Sequence, residues 1–219
     1  FWRWGQNADV VIRMPTGAGS GGGPFHSQSN EAWFFHVPGL KIVYPSNPAD
    51  AKGLLCAALN DPNPVLFFEH KVLYRSLKAD VPKDYYTQDI GKGDLVKEGT
   101  DLVIITYGMG VHWALEIAVE YGDKVAILDL KTLLPLDENL IYAIVKEVGK
   151  ALVLHEDNLT GGIGAEISSL IHTNCFEYLD APVKRVGSMD IPIPFAKQLE
   201  KEFLANSKLK EELDDLLNY

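Results

Sequence analysis

Chemistry is concentrated in one short run, Met14-Pro15-Thr16-Gly17-Ala18-Gly19-Ser20-Gly21-Gly22-Gly23-Pro24-Phe25-His26-Ser27-Gln28-Ser29. Five glycines in seven positions let the backbone approach a ligand or another chain more closely than side chains would permit. Gly17, Gly19 and Gly22 satisfy the spacing of a dinucleotide fingerprint, but that spacing needs a helix opening at once and an acid on the next strand. Here the next strand ends Tyr44-Pro45-Ser46, with no acid, and the residues after Gly22 are not expected to open a helix directly, so a nicotinamide site is excluded. His26, followed by small polar residues at the end of what reads as a mobile loop, has an imidazole that can reach a ligand and exchange protons with it. The alternative is an ordinary loop histidine bonded to a backbone carbonyl. His155-Glu156-Asp157 ends a strand, where α/β proteins place sites, or else an interface. Gly161-Gly162-Ile163-Gly164 before a helix suits an anion or tight packing. His36, His70, His112 and His172 stand without metal-ligand spacing and read as structural or surface residues.

These residues must be positioned by alternating strands and helices. Ala8–Met14, Leu40–Tyr44 and Val65–Glu69 read as strands, and the last is apolar enough to be covered on both faces. Helices are expected from about Ser29 and from Ser46-Asn47-Pro48, the latter with Ala51, Leu54, Leu55 and Ala58 on one face. From about Ser76 to Gly99 no period is sustained, as in an extended linker. Beyond it, strands at 101–106, 124–130, 151–155 and 182–187 alternate with helices at 111–119, 137–148 and 164–173. Such repetition implies a mostly parallel sheet with right-handed crossovers. The second unit reads as whole; the first, with three strands and two helices, makes a thin sheet.

Composition bounds the function. The 219 residues carry 20 Lys and Arg against 30 Asp and Glu, a formal net charge of −10, and 47% are hydrophobic. This fills a core and excludes a disordered chain. The acidic balance argues against nucleic acid and toward a basic partner. No apolar run approaches the ~20 residues of a membrane span. Cys56 and Cys175 are far apart in apolar stretches and read as buried thiols. The opening Phe1-Trp2-Arg3-Trp4 places large aromatics where they need something to pack against.

An ordered series of segments resembles one family. Arg13-x-Pro15 and the glycine loop come first, then His26-Ser27-Gln28-Ser29 with Glu31-Ala32, and Val37-Pro38-Gly39-Leu40-Lys41. Asp50-Ala51-Lys52-Gly53-Leu54, Asp61-Pro62-Asn63-Pro64, Leu73-Tyr74-Arg75 and Asp129–Asp137 continue it. His155-Glu156, Thr160–Ile167 and the closing Leu217-Asn218-Tyr219 complete it. Together they resemble the β subunit of the thiamine-diphosphate-dependent E1 component of 2-oxo acid dehydrogenases, of the pyruvate or branched-chain type. The resemblance implies an α/β fold. Residues 1–78 would be the C-terminal part of a pyrimidine-binding domain, 79–98 a linker, and 99–219 a transketolase C-terminal-like domain. The family's cofactor-activating glutamate and stacking aromatic would precede Phe1, and the sheet around Val10 to Met14 is expected to be incomplete.

The same resemblance implies a heterotetramer of two α and two β subunits, with the α subunit holding magnesium and the diphosphate. His26 takes the family's active-site histidine, hydrogen-bonding the 2-oxo acid or what forms from it and donating a proton during transfer to lipoamide. A structural potassium would be bound by carbonyls of Val10 and Ala58 and by Asp61 and Asn63. The acidic end, including Glu211, Glu212, Asp214, Asp215 and the carboxylate of Tyr219, would dock the basic subunit-binding domain of the E2 acyltransferase. From Glu200 onward, acids outnumber bases, and a solvated helix face is the plainer reading. The location would be cytoplasmic in a bacterium and the mitochondrial matrix in a eukaryote. The isolated chain is expected to be inactive and to bind negligible thiamine diphosphate. Two other readings stay open: a non-catalytic assembly or E2-docking module, and a transketolase-type enzyme.

Overall fold

The computed structural model describes residues 5–219; the aromatic start at Phe1–Trp4 lies outside them. The elements follow in the order β1 (Val11–Thr16), α1 (Gly23–His26), α2 (Glu31–Phe35), β2 (Lys41–Val43), α3 (Pro48–Leu59), β3 (Val65–His70) and α4 (Leu73–Ser76). After a long connection come β4 (Asp94–Lys97), β5 (Leu102–Thr106), α5 (Met109–Ala118), β6 (Val125–Asp129), β7 (Thr132–Leu134), α6 (Glu138–Val148) and β8 (Ala151–Asn158). The chain closes with α7 (Gly164–Cys175), β9 (Lys184–Ser188), α8 (Lys197–Phe203) and α9 (Asn206–Leu217).

Local chemistry explains the boundaries. Helix α3 starts where the Asn47 side chain accepts from the Asp50 amide at 2.9 Å and Pro48 supplies a preset φ. Asp137 caps α6, which ends at Gly149 in the left-handed conformation (φ 75°). Strands β5 and β6 are Leu-Val-Ile-Ile-Thr and Val-Ala-Ile-Leu-Asp, buried at every position, as central parallel strands covered on both faces must be.

The first sheet has the order β1-β3-β2-β7, and the second β4-β6-β5-β8-β9. Strands β1, β3 and β2 are mutually parallel, as are β6, β5, β8 and β9. Strand β1 is the outer strand of its sheet, with Ile12 half-exposed. The thin sheet gains its fourth strand from the second half of the chain: Thr132–Leu134 pairs antiparallel with β2. The expected linker is also shorter as an irregular segment, because Asp94–Lys97 joins the second sheet as an antiparallel edge on β6. The rest runs across α3, pinned by Tyr86 Oη to the Ala49 carbonyl at 2.6 Å and Gln88 Nε2 to Asp50 at 2.6 Å.

The two sheets share one core. Ile42, Tyr44, Leu66 and Phe68 from the first half form a single buried cluster with Val103, Ile105, Tyr107 and Val153 from the second. Tyr44 stacks on Phe68 at 5.7 Å and meets Tyr107 at 5.3 Å. Each such large side chain, fully buried, stabilises the folded state by roughly 1.5–3 kcal/mol. The halves are thereby tied through their strand ends, where the candidate site lies.

Candidate active site at the junction of the two sheets

The second sheet changes direction at β5, since β6 lies on one side of it and β8 on the other. In an open α/β sheet the crevice beyond the carboxyl ends of such strands receives a ligand. Here, Tyr107, Glu156 and Asp157 at those ends receive polypeptide instead: the glycine loop, Ser29 and Glu31 of the first half.

The loop does not cradle a phosphate. Three of its amides are spent on carboxylates from the second half. The Ala18 N–H donates to Glu156 Oε1 at 2.6 Å, and the Gly19 and Gly21 N–H groups donate to Glu200 Oε1 at 2.9 and 3.3 Å. Successive backbone amides aimed at one concavity make an anion site, and these two side chains fill it. Two glycines are demanded sterically. A Cβ on Gly17 (φ 95°) would lie 2.1 Å from His70 Nε2, and one on Gly23 (φ 56°) would lie 2.4 Å from the Phe195 ring.

Glu156 is the hub. Its Oε1 also accepts from Ser29 Oγ at 3.3 Å, and its Oε2 lies 2.8 Å from His70 Nε2. His70, at the carboxyl end of β3, is buried, the structural of the two alternatives the sequence offered for it. Beside Glu156, Glu31 Oε1 accepts from Tyr107 Oη at 2.6 Å while its Oε2 has no partner among the described residues. Burial first, then the nearby Asp157 charge, pushes the Glu31 carboxyl up to about 8. Burial likewise raises Asp157 to about 6, with Glu156 adding to the rise. Elsewhere burial raises Asp129 to about 7 despite its bond from Ser46, and lowers His155 to about 4.

His26 stands at the end of α1 on the outer side of this assembly, exposed. Phe25 beside it is exposed and faces Phe195, ring centroids 6.3 Å apart, with Trp33 exposed nearby in sequence. His26 thus meets solvent beside the Phe25–Phe195 pair, while Glu156 and Glu200 behind its loop are bonded to the loop's own amides. A separate cleft of about 430 Å³, lined by Arg13, Ser46, Glu69, His70 and Tyr74, has its charges paired: Arg13 holds Glu69 through two bonds of 2.8 and 2.7 Å.

The remaining expected sites fall as follows. The Val10 carbonyl accepts from the Val65 amide at 2.9 Å, and that of Ala58 from the Asp61 amide at 3.2 Å. Asp61 pairs with Lys41 and accepts from Asn63 N and Nδ2, both at 2.9 Å. Burial raises this carboxyl, but those bonds outweigh it and leave it below its ordinary range. At the C-terminus, Glu212 and Asp215 pair with Lys184 at 2.9 and 2.6 Å, and Asp214 accepts from Tyr121 Oη at 2.7 Å. Glu200, counted with that acidic run, is buried instead. Its place three and four residues before buried Phe203 and Leu204 was the signal that could have found it. His70 had a similar signal, the end of a wholly apolar strand, whereas Glu31 had none.

Residues 2–76 match the transketolase pyrimidine-binding domain and residues 91–208 the transketolase C-terminal domain. The chain belongs to the transketolase family. It is 47% identical over 201 residues to the 2-oxoisovalerate dehydrogenase subunit beta of Bacillus subtilis, covering 90% of this chain and 62% of that one. It is 44% identical over 188 residues to the mitochondrial 2-oxoisovalerate dehydrogenase subunit beta 2 of Arabidopsis thaliana, covering 84% and 52%. With the pyruvate dehydrogenase E1 component subunit beta of Bacillus subtilis it shares 43% over 209 residues, covering 94% and 63%. The chain therefore spans between about half and two thirds of the curated relatives it matches. A split-gene transketolase described as an inactive β4 tetramer shares the fold, with a TM-score of 0.77 at 22% identity over 97% of this chain and 67% of that one. Among the described residues, no helix is long and apolar enough to cross a membrane.

Proposed function

We propose that this chain is the β-subunit part of an E1 component that decarboxylates a 2-oxo acid and acylates the lipoamide of E2, acting only with an α subunit. The observation that carries the reading is His26, displayed to solvent beside the Phe25–Phe195 pair on a loop three of whose amides are held from behind. Thiamine diphosphate, with magnesium held by the α subunit, would supply the electron sink for decarboxylation. This chain's part is His26, which hydrogen-bonds the 2-oxo acid and delivers a proton from its imidazole as the acyl group passes to the lipoyl sulfur. The exposed Phe25, Trp33 and Phe195 are suited to cover by the α subunit or a second β subunit, excluding water from that proton.

The test is full-length β subunit carrying His26→Ala, assembled with its α partner and given pyruvate and branched-chain 2-oxo acids in turn. Lipoyl acylation is expected to fall on the order of 10²- to 10⁴-fold; turnover equal to the unsubstituted enzyme would overturn the reading.

Three narrower readings accompany it. Potassium at Val10, Ala58, Asp61 and Asn63 is supported by an all-oxygen donor set, although Lys41 already neutralises Asp61. A Tm that rises with potassium chloride and not with sodium chloride would support that site, and equal effects would remove it. The acidic C-terminal helix would dock E2, by Glu211, Glu212, Asp214, Asp215 and the Tyr219 carboxylate, with affinity that weakens as salt rises. Salt-independent binding would exclude it. The location follows the source: cytoplasm in a bacterium, mitochondrial matrix in a eukaryote, which fractionation tests.

A further inference from the structure

We propose that Glu200, with Glu156, is a positioning residue for His26: two carboxylates of the C-terminal domain grip the glycine loop by its amides and set where α1 presents the imidazole. This rests on the role given to His26 above.

A loop with five glycines in seven residues has many more conformations open to it than an ordinary segment, so its shape must be imposed from outside. The structure contains the means. Glu200 comes from α8, far along the chain, and one of its oxygens takes the amides of both Gly19 and Gly21. Glu200 is 3% exposed, and a buried carboxylate accepting amide hydrogen bonds is held firmly in turn. Just before α8, Phe195 fills the space a side chain on Gly23 would need and meets the ring of Phe25, the neighbour of His26. Glu156 brackets the histidine in sequence. It binds Ala18 before it and Ser29 after it, and is itself fixed by His70. Lys71, partly buried, feels the charge of both carboxylates. The C-terminal domain thus takes part in the reaction without touching substrate, by holding the residue that does.

The experiment is a double-mutant cycle in the assembled complex of full-length β with α, using a lipoyl acceptor. Glu200→Ala is expected to lower kcat on the order of 10- to 100-fold with KM for the 2-oxo acid near its original value, as misplacement of a reacting group does. Glu200→Gln, which keeps an acceptor oxygen, is expected to recover most of the loss. In a His26→Ala background, Glu200→Ala is expected to cost less than about twofold more, because groups acting through one another are not additive. Unchanged kcat in Glu200→Ala, or losses that multiply in the double variant, would overturn the positioning role while the function of His26 stands. Full turnover of His26→Ala alone would overturn both. Where Glu200→Ala fails to assemble, Glu200→Gln carries the cycle: a smaller loss that vanishes without His26 supports the role, and a loss that persists contradicts it.

Discussion

Two pairs of carboxylates meet at the junction between the sheets and behave in opposite ways. Glu156 and Glu200 are buried among donors: three backbone amides, the Ser29 hydroxyl and the His70 imidazole face them. Glu31 and Asp157 are buried nearby with fewer. Glu31 has the Tyr107 hydroxyl on one oxygen and nothing on the other among the described residues, and Asp157 has the Asn158 amide at 2.8 Å together with the Ala32 amide. Burial costs a carboxylate its charge unless hydrogen bonds replace water. The first pair therefore serves as a clamp between domains, and the second keeps protons to pH values where an exposed acid has lost them.

The largest expected effect lies with the clamp. Replacing Glu156 by Ala strands the Ala18 amide, the Ser29 hydroxyl and His70 together in a buried junction. Unpaired buried groups of this kind cost about 1–3 kcal/mol each, so the unfolding free energy in urea should fall by roughly 3 kcal/mol or more. A midpoint unmoved by Glu156→Ala would mean that the two halves are held by their shared apolar core alone.

A smaller effect sharpens the other side of the comparison. Because the Glu31 carboxyl is raised from 4.5 to about 8, the folded state binds a proton that the unfolded state has lost within that window. Its stabilisation is complete below about 4.5 and disappears as pH rises through about 8. Asp157 and Asp129, raised to about 6 and about 7, act in the same direction over overlapping ranges, so the Glu31 share is read by substitution. Stability measured by denaturation should decline as pH rises toward about 8 for the unsubstituted protein and decline less for Glu31→Gln, whose amide needs no proton. Parallel declines would show that Glu31 is already ionised.

How far this junction was legible in the sequence depends on what each residue signals locally. The strands and long helices were legible because apolar spacing reports burial against a neighbour whatever that neighbour is: Val65–Phe68 and Leu102–Ile105 could hardly be anything else. His26 was legible as an exposed imidazole, but it stands on a helical turn that opens directly after Gly22 where the sequence suggested only loop, and its role came only from the family resemblance. The clamp was not, because nothing near Glu200 or Glu156 in the chain says that glycine amides will arrive from well over a hundred residues away. Glu200 was hidden in a run of charges that is otherwise solvated. Glu31 was hidden by its own polarity, since a carboxylate is assigned to the surface unless its partner is known. Strand β7 was missed for a related reason: Thr132–Leu134 follows β6 in sequence but pairs with β2 across the junction.

The claim on which the account turns is that the glycine loop is held and not mobile. Amide hydrogen exchange of Ala18, Gly19 and Gly21 in the assembled protein reads this directly. These three are expected to exchange slowly, Ala18 at rates approaching those of the buried strand β5 and Gly19 and Gly21 well below that of the exposed Gly161. Exchange at the rate of Gly161 would contradict it.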